Sequence, residues 1–205
     1  MKRPILRTVV SCFALTSMAC SAVRSTYLRP DYAKSDRLKT KRLAVVTSPF
    51  PAGSEKIAGL WSLLARRYVN QKRNFLAKQE LAEREAPQSG DSSSFTMRYC
   101  HDGLEGVLWL RPFAHVEGDR VRAQLQATLN RCSDGQTVWK ADAAGTWPSS
   151  DATLKELTAQ YTTEIGPEVT PYVAPSFRIL KQTLDTLPDP ILADEDINEK
   201  IELGE

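Results

Sequence analysis

The chain is poor in the residues that enzymes use near neutral pH. It holds two histidines in 205 residues, His101 and His115, and imidazole is the side chain that ordinarily titrates between about pH 5 and 8. Its four cysteines, Cys12, Cys20, Cys100 and Cys132, have none of the paired spacing of a zinc site. Neither "CHD" nor "RCSDG" gathers enough ligands for a metal. "GLEG" and "GSEKIAG" lack the length and the lysine of a phosphate-cradling loop. No "GxSxG" turn frames Ser89, Ser92, Ser93 or Ser94, so these serines read as loop. The sequence therefore assigns no catalytic residue, no metal and no cofactor, and it shows no internal repeat.

Long apolar runs are also missing. The longest, "TVVSCFALTSMA" near the start, falls short of the roughly 20 residues needed to cross about 30 Å of hydrocarbon. Lys2, Arg3 and Arg7 precede it and small residues end it at Ala19, which is the layout of a secretory signal. "TSMAC" resembles the lipobox of bacterial lipoproteins, with Ala19 before Cys20; Ser17 stands where that motif usually has leucine. The resemblance implies cleavage before Cys20 and diacylation of its sulfur, giving membrane attachment without a spanning helix. A lipid-free signal cleaved near Ala19 or Ala22 is the alternative. Ser21 after the anchor implies outer-membrane sorting by the enterobacterial rule, where aspartate would signal inner-membrane retention.

An excess of charge is a further absence. The whole chain carries 27 basic and 25 acidic side chains, but residues 1–19 hold three of the basic ones and no acid. The mature chain has 24 against 25, a formal charge of −1. Nucleic acid, which needs concentrated positive charge, is not an expected partner. With Cys12 in the signal and Cys20 acylated, Cys100 and Cys132 remain as an even pair. In an oxidising periplasm they form a disulfide or stay as two buried thiols.

What is present patterns as one domain with extensions. Residues 20–40 are polar and without periodicity and read as a tether, followed by an ordered domain over 41–188. Leu43 to Val46 predict a buried strand. Ile57, Leu60, Trp61, Leu64, Tyr68 and Val69 predict an amphipathic helix with Ser54 as its cap. "NFLAKQEL" is a second strand or an extension of that helix, "EREAPQSGDSSS" a loop, and "SFTMRYCHDGLEG" a short helix ended at Gly103 or Gly106. "GVLWLRPF" is a strand and "AHVEGDR" a polar turn begun by His115. Val121, Ala123, Leu125, Ala127 and Leu129 alternate with polar residues as in a half-buried antiparallel strand, which "SDGQ" turns into a returning strand over "TVWKADAAGTW". Helices over "DATLKELTAQYTTEI" and "PSFRILKQTLDTL" end at Pro188 and Pro190. Residues 189–205 form a solvated acidic tail with seven acids against Lys200, a segment that could also dock a basic surface. The expected class is α/β (α+β): a small mixed sheet with helices packed on it, an antiparallel hairpin and C-terminal helices.

"KRLAVVTSPF", "GLEGVLWLRPF" and "LQATLNRCSDGQTVWKADAAGTW" resemble the small α/β domain of envelope lipoproteins of the curli-secretion family, of the activators of outer-membrane-dependent cell-wall synthesis, and of the TolB amino-terminal domain. The likeness spans about residues 41–147. "GLEGVLWLRP" and "EKIELGE" resemble an uncharacterised lipoprotein family of myxobacteria and leptospires, which implies a location and no activity.

The expectation is a non-catalytic lipoprotein on the periplasmic face of the outer membrane of a diderm bacterium. It would serve envelope assembly or secretion as an accessory factor bound to another envelope protein. Trp61, Trp109 and Trp139 are core residues, and Trp147, at a strand end, is the candidate partner contact. The alternative is a hydrolase or thiol-redox enzyme using Cys100 and His101. Metabolic labelling with a palmitate analogue should mark the wild-type chain and not Cys20→Ala; equal labelling of both would remove the anchor.

Overall fold

The computed structural model describes residues 22–48, 54–83 and 96–203. Its strands are β1 (Val23–Leu28), β2 (Arg42–Thr47), β3 (Leu76–Ala82), β4 (Gly106–Glu117), β5 (Arg120–Arg131) and β6 (Thr137–Pro148). They form one mixed sheet in the order β1-β6-β5-β4-β2-β3. β2 runs parallel to both β3 and β4, and the other pairings are antiparallel. The helices are α1 (Arg37–Lys39), α2 (Glu55–Lys72), α3 (Lys155–Ile165), α4 (Thr170–Leu184) and α5 (Asp194–Leu203). This is the expected mixed α/β class, and "NFLAKQEL" is resolved as strand β3.

One face of the sheet carries the main core. Leu43 and Val45 of β2, Leu108 and Leu110 of β4, and Trp139, Ala141 and Ala143 of β6 all point to it and are buried. Strand β5 supplies the alternating set read from the sequence, Val121 through Leu129, fully buried. Alanines on β5 and β6 leave room for α4, which brings Val173, Ile179, Leu180 and Leu184. Helix α2 adds Leu60, Trp61, Leu64, Tyr68 and Val69, and α3 adds Tyr161. Burying a side chain such as Leu125 stabilises by about 1.5–3 kcal/mol, so the shared face supplies most of the driving force.

Local details differ from the sequence reading where a neighbour, rather than the segment, decides. β4 continues to Glu117, so His115 lies inside a strand opposite Arg122 and the turn is only Gly118 and Asp119. Gly118 has φ 65°, which glycine adopts without strain in the first position of a two-residue hairpin turn. Ser54 makes no side-chain cap; its carbonyl accepts from Ile57 and Ala58 instead. Helix α4 starts at Thr170, ahead of the expected proline, with Pro175 inside it. Of the expected short helix before Gly103, the described residues Thr96 and Met97 are helical and lead into a turn in which Tyr99 N–H donates to Thr96 O, while the segment before Thr96 lies outside the described residues.

Both terminal extensions belong to the domain. The segment read as a tether contains edge strand β1 on β6, and Tyr32 is buried with its hydroxyl donating to Pro188 O at 2.6 Å. Buried Asp36 meets Arg131 Nη1 at 2.9 Å. An edge strand with five of six residues exposed has no hydrophobic alternation to reveal it. The acidic tail is likewise no free end: α5 lies along β3, and two of its acids pair within the chain. Asp196 meets Lys41 Nζ at 2.5 Å and Arg42 Nη2 at 2.6 Å. Glu199 meets Arg42 at 2.8 Å and Lys78 at 2.6 Å. Lys200 points its ammonium at the carbonyls ending α2, Asn70 O at 2.7 Å, Phe75 O at 3.1 Å and Arg73 O, where a cation suits the helix dipole.

Burial opposes ionisation of Asp196, but Lys41, the Ala193 N–H and Arg42 together outweigh it and hold the carboxyl below its usual range. A carboxyl lowered in the fold stabilises above its unfolded value near pH 3.9 and loses that contribution as pH falls through the folded value. Asp196→Asn should therefore cost about 2–3 kcal/mol at pH 7, below the figure for a wholly buried pair because Arg42 keeps some solvent contact. Urea unfolding measured from pH 7 down to pH 3 should show the difference between the variant and wild type shrinking.

Candidate functional site

On the second sheet face, among the described residues, one corner holds a small apolar cluster of its own. There Ala44, Val46, Val107 and Trp109 meet Tyr99 and Leu104, with Cys100 and Cys132 against them. Cys100 and Cys132 are disulfide-bonded, with Cα atoms 5.4 Å apart. The Tyr99 and Trp109 rings meet edge to face at 6.4 Å, and Trp109 Nε1 donates to Ser48 Oγ at 2.8 Å. Burial and the Glu83 carboxylate bonded to its hydroxyl push the Tyr99 phenol well above its usual value. Asn130 Nδ2 donates to Thr96 Oγ1 at 3.0 Å, and Cys132 N–H to Glu105 O at 2.8 Å. Segment 96–105 is thus a flap riveted to the sheet.

This geometry separates the residues of the thiol alternative. Cys100 sulfur is committed to Cys132, while His101 points to solvent with Nδ1 2.7 Å from its neighbour Asp102 Oδ2. His115 is exposed on β4, far along the strand from the flap. Among the described residues no group of three or more His, Cys, Asp or Glu is placed to hold a metal, and no helix is long and apolar enough to cross a membrane. Cys20 and Ser89 to Ser94 lie outside the described residues. Trp147 is half-buried on the core face, packed against the main cluster, with its ring lying over Gly145. Any side chain at Gly145 would strike that ring.

A concavity that the sequence did not announce lies just beyond Trp147. Ser149 to Ala152 form one wall, and Lys155, Thr158, Ala159, Thr162 and Thr163 of α3 with Thr170 of α4 form the rest of a cleft of about 640 Å³. Asp151 shapes its rim. It accepts from Thr153 N–H at 2.9 Å and Thr153 Oγ1 at 2.7 Å, and it pairs with Arg178, whose Nε is 2.7 Å away. The Thr153 and Arg178 bonds push its carboxyl down to about 2. Thr162 and Thr170 hydroxyls bond to each other at 2.9 Å across the floor. The cleft is lined by hydroxyls, the Lys155 ammonium and aliphatic stems. Sequence patterning missed it because serines and threonines on an amphipathic helix look like an ordinary solvated face.

Among the described residues nothing covers the β4-β5-β6-β1 part of the second sheet face beyond the flap. Arg111, Phe113 and His115 of β4, Arg122 and Gln126 of β5, Lys140 of β6 and Tyr27 of β1 are all exposed on it.

No protein-family model and no curated protein sequence matches the chain. Among solved structures, the PelC dodecamer from Paraburkholderia phytofirmans aligns with a TM-score of 0.39 at 16% identity, over 73% of this chain and 94% of that one. A single-substitution variant of the same PelC dodecamer aligns with a TM-score of 0.37 at 16% identity, over the same shares. Likeness at that level carries no statement about function.

The disulfide closes a loop with a sequence separation of 32, for which chain entropy gives about 3–4 kcal/mol, less any native strain. Cys132→Ser, or reduction of the wild type, should lower the unfolding free energy by that amount, read as a shift of the urea midpoint to lower concentration. Loss of the flap's protection from hydrogen exchange should accompany it, with the β5 core unaffected.

Proposed function

We propose that this is a non-catalytic lipoprotein, anchored through Cys20 to the periplasmic face of the outer membrane, that binds another envelope protein as an accessory factor in envelope assembly or secretion. The observation that carries this reading is the position of the cleft relative to the anchor. The chain enters the fold at Val23, three residues after Cys20, and Val23 pairs with Ala143 of β6. From Ala143 the strand runs on to Pro148, about 16 Å at ~3.3 Å per residue, and delivers Ser149 to the cleft. A lipid at Cys20 would therefore hold the cleft close to the bilayer, with no long tether between them, and would fix its orientation as well as its location.

The disulfide supports an oxidising compartment. The two half-exposed elements beside the cleft, Trp147 and the Asp151–Arg178 rim, would supply an aromatic anchor and a fixed ion pair at the edge of such a contact. A hydrolase built on Cys100 and His101 would need a free thiol and a converging base. Cys100 is instead bonded to Cys132, and His101 turns to solvent beside Asp102.

Complementation of a deletion strain separates contact from catalysis. The double substitution His101→Ala, His115→Ala should complement fully. Ala159→Trp, at an exposed position on α3, should fill the cleft at a cost of under about 1 kcal/mol in helix propensity and lower complementation at least tenfold at equal protein level. A normally folded double-histidine variant that behaved like the deletion would overturn the binding reading.

A further inference from the structure

The acids of α5 divide by helical position. Asp196, Glu199 and Lys200, with Leu203, face the domain and are consumed by Lys41, Arg42, Lys78 and the end of α2. On the opposite side Asp194, Ile197, Asn198, Ile201 and Glu202 are all exposed, with Glu195 at the margin. Ile197 and Ile201, one turn apart, are 46% and 63% exposed. The outward stripe is two β-branched aliphatic residues framed by three carboxylates, with no basic residue among them. Solubility alone does not call for isoleucine there, since it is a poorer helix former than the lysine or glutamate that could replace it.

The open sheet face has the complementary character. Arg111, Arg120, Arg122 and Lys140 lie on it against Glu117 and Asp142, and Asp142 is already engaged by Ser25 at 2.9 Å and Lys140 at 3.5 Å. Among these cations stand Phe113 and Tyr27, 47% and 49% exposed. Four strands at ~4.8 Å spacing give a face about 19 Å wide, and a helix of about 10 Å diameter fits along it. α5 cannot turn onto this face within its own chain, because its inner side is clasped at β3, one edge of the sheet, while the open face extends to β1 at the other.

We propose that the open β4-β5-β6-β1 face is the docking surface for the outward face of α5 from a second copy of this chain. Ile197 and Ile201 would sit among Phe113 and Tyr27, with the acids of α5 against the arginines. The two surfaces differ, so the contact is heterologous: each copy offers α5 to one neighbour and its sheet to another, and the association is head to tail. It stands apart from the anchorage and the cleft, since neither contributes a residue.

The test uses the full chain in mild detergent and reads mass by light scattering across a concentration series. Wild type should associate with concentration, and the association should weaken in about 0.5 M salt, where screening is severe. Arg111→Glu, Arg122→Glu should return the single-chain mass, and so should Glu195→Lys, Glu202→Lys, with thermal unfolding as the check that each is folded. An equimolar mixture of these two proteins should regain association, because the unaltered helix of one meets the unaltered sheet of the other and the two reversed surfaces also meet with opposite charge. A wild type that stays a single chain throughout would overturn the proposal. So would folded variants that keep the wild-type mass, or a mixture that stays dissociated. Ile197→Ser, Ile201→Ser leaves every charge in place and should shift half-association to at least tenfold higher concentration; no shift counts against the helix as the docking element.

Discussion

Packing three helices against a single face of a six-stranded sheet is the constraint from which the rest of the molecule follows. β5 occupies the middle of that face, and its alternation of Ala123 and Ala127 with Val121, Leu125 and Leu129 sets how near α4 can lie. Trp139 and Trp61 fill the space that the alanines leave on either side, both fully buried. Because three helices are spent on one face, among the described residues the other face is covered by the 96–105 flap and, at the β2-β3 edge, by α5. That flap is too short to build a core of its own, so it is held by a covalent bond and a few side-chain hydrogen bonds.

The same constraint explains the fate of the chain ends. A sheet has two edges, and each exposes unpaired backbone groups. Here the C-terminal helix lies along β3, seated by Asp196 and Glu199 on Lys41, Arg42 and Lys78. The N-terminal segment adds β1 to β6 and then crosses beneath the sheet end, where Tyr32 bonds Pro188 O and Arg37 bonds Asp189 O at 3.0 Å. The two ends are therefore locked to each other as well as to the sheet. Both terminal segments are thus packed and bonded into the domain rather than standing off it as loose extensions.

That unity bears on function. A lipid on Cys20 would lead into β1 almost without slack, and the pull of the anchor would be felt by the sheet directly. The hydroxyl-lined cleft between the 149–152 segment, α3 and α4, and the open basic-aromatic face, lie on different surfaces of this rigid body. On the readings proposed above, a partner would meet the cleft and a second copy the sheet face, on separate surfaces of the domain.

Periodicity and punctuation in the sequence determined the elements whose signals are local. Alternation marked β5, the Asp-Gly turn marked its return into β6, and helical spacing marked α2, because each element buries one face and shows water the other. The even pair left after Cys12 and Cys20 pointed to the Cys100–Cys132 disulfide that the structure holds, with two buried thiols as the alternative, since cysteine count carries no distance. Tertiary structure alone decided the places where a neighbour supplies what the segment lacks. β1 exposes five of its six residues and carries no alternation, so only β6 makes it a strand. The acids of residues 189–205 read as solvated until Lys41, Arg42 and Lys78 come beside them from positions more than a hundred residues earlier. The cleft is legible nowhere in the chain, because a concavity is a property of the space between segments and not of any one of them.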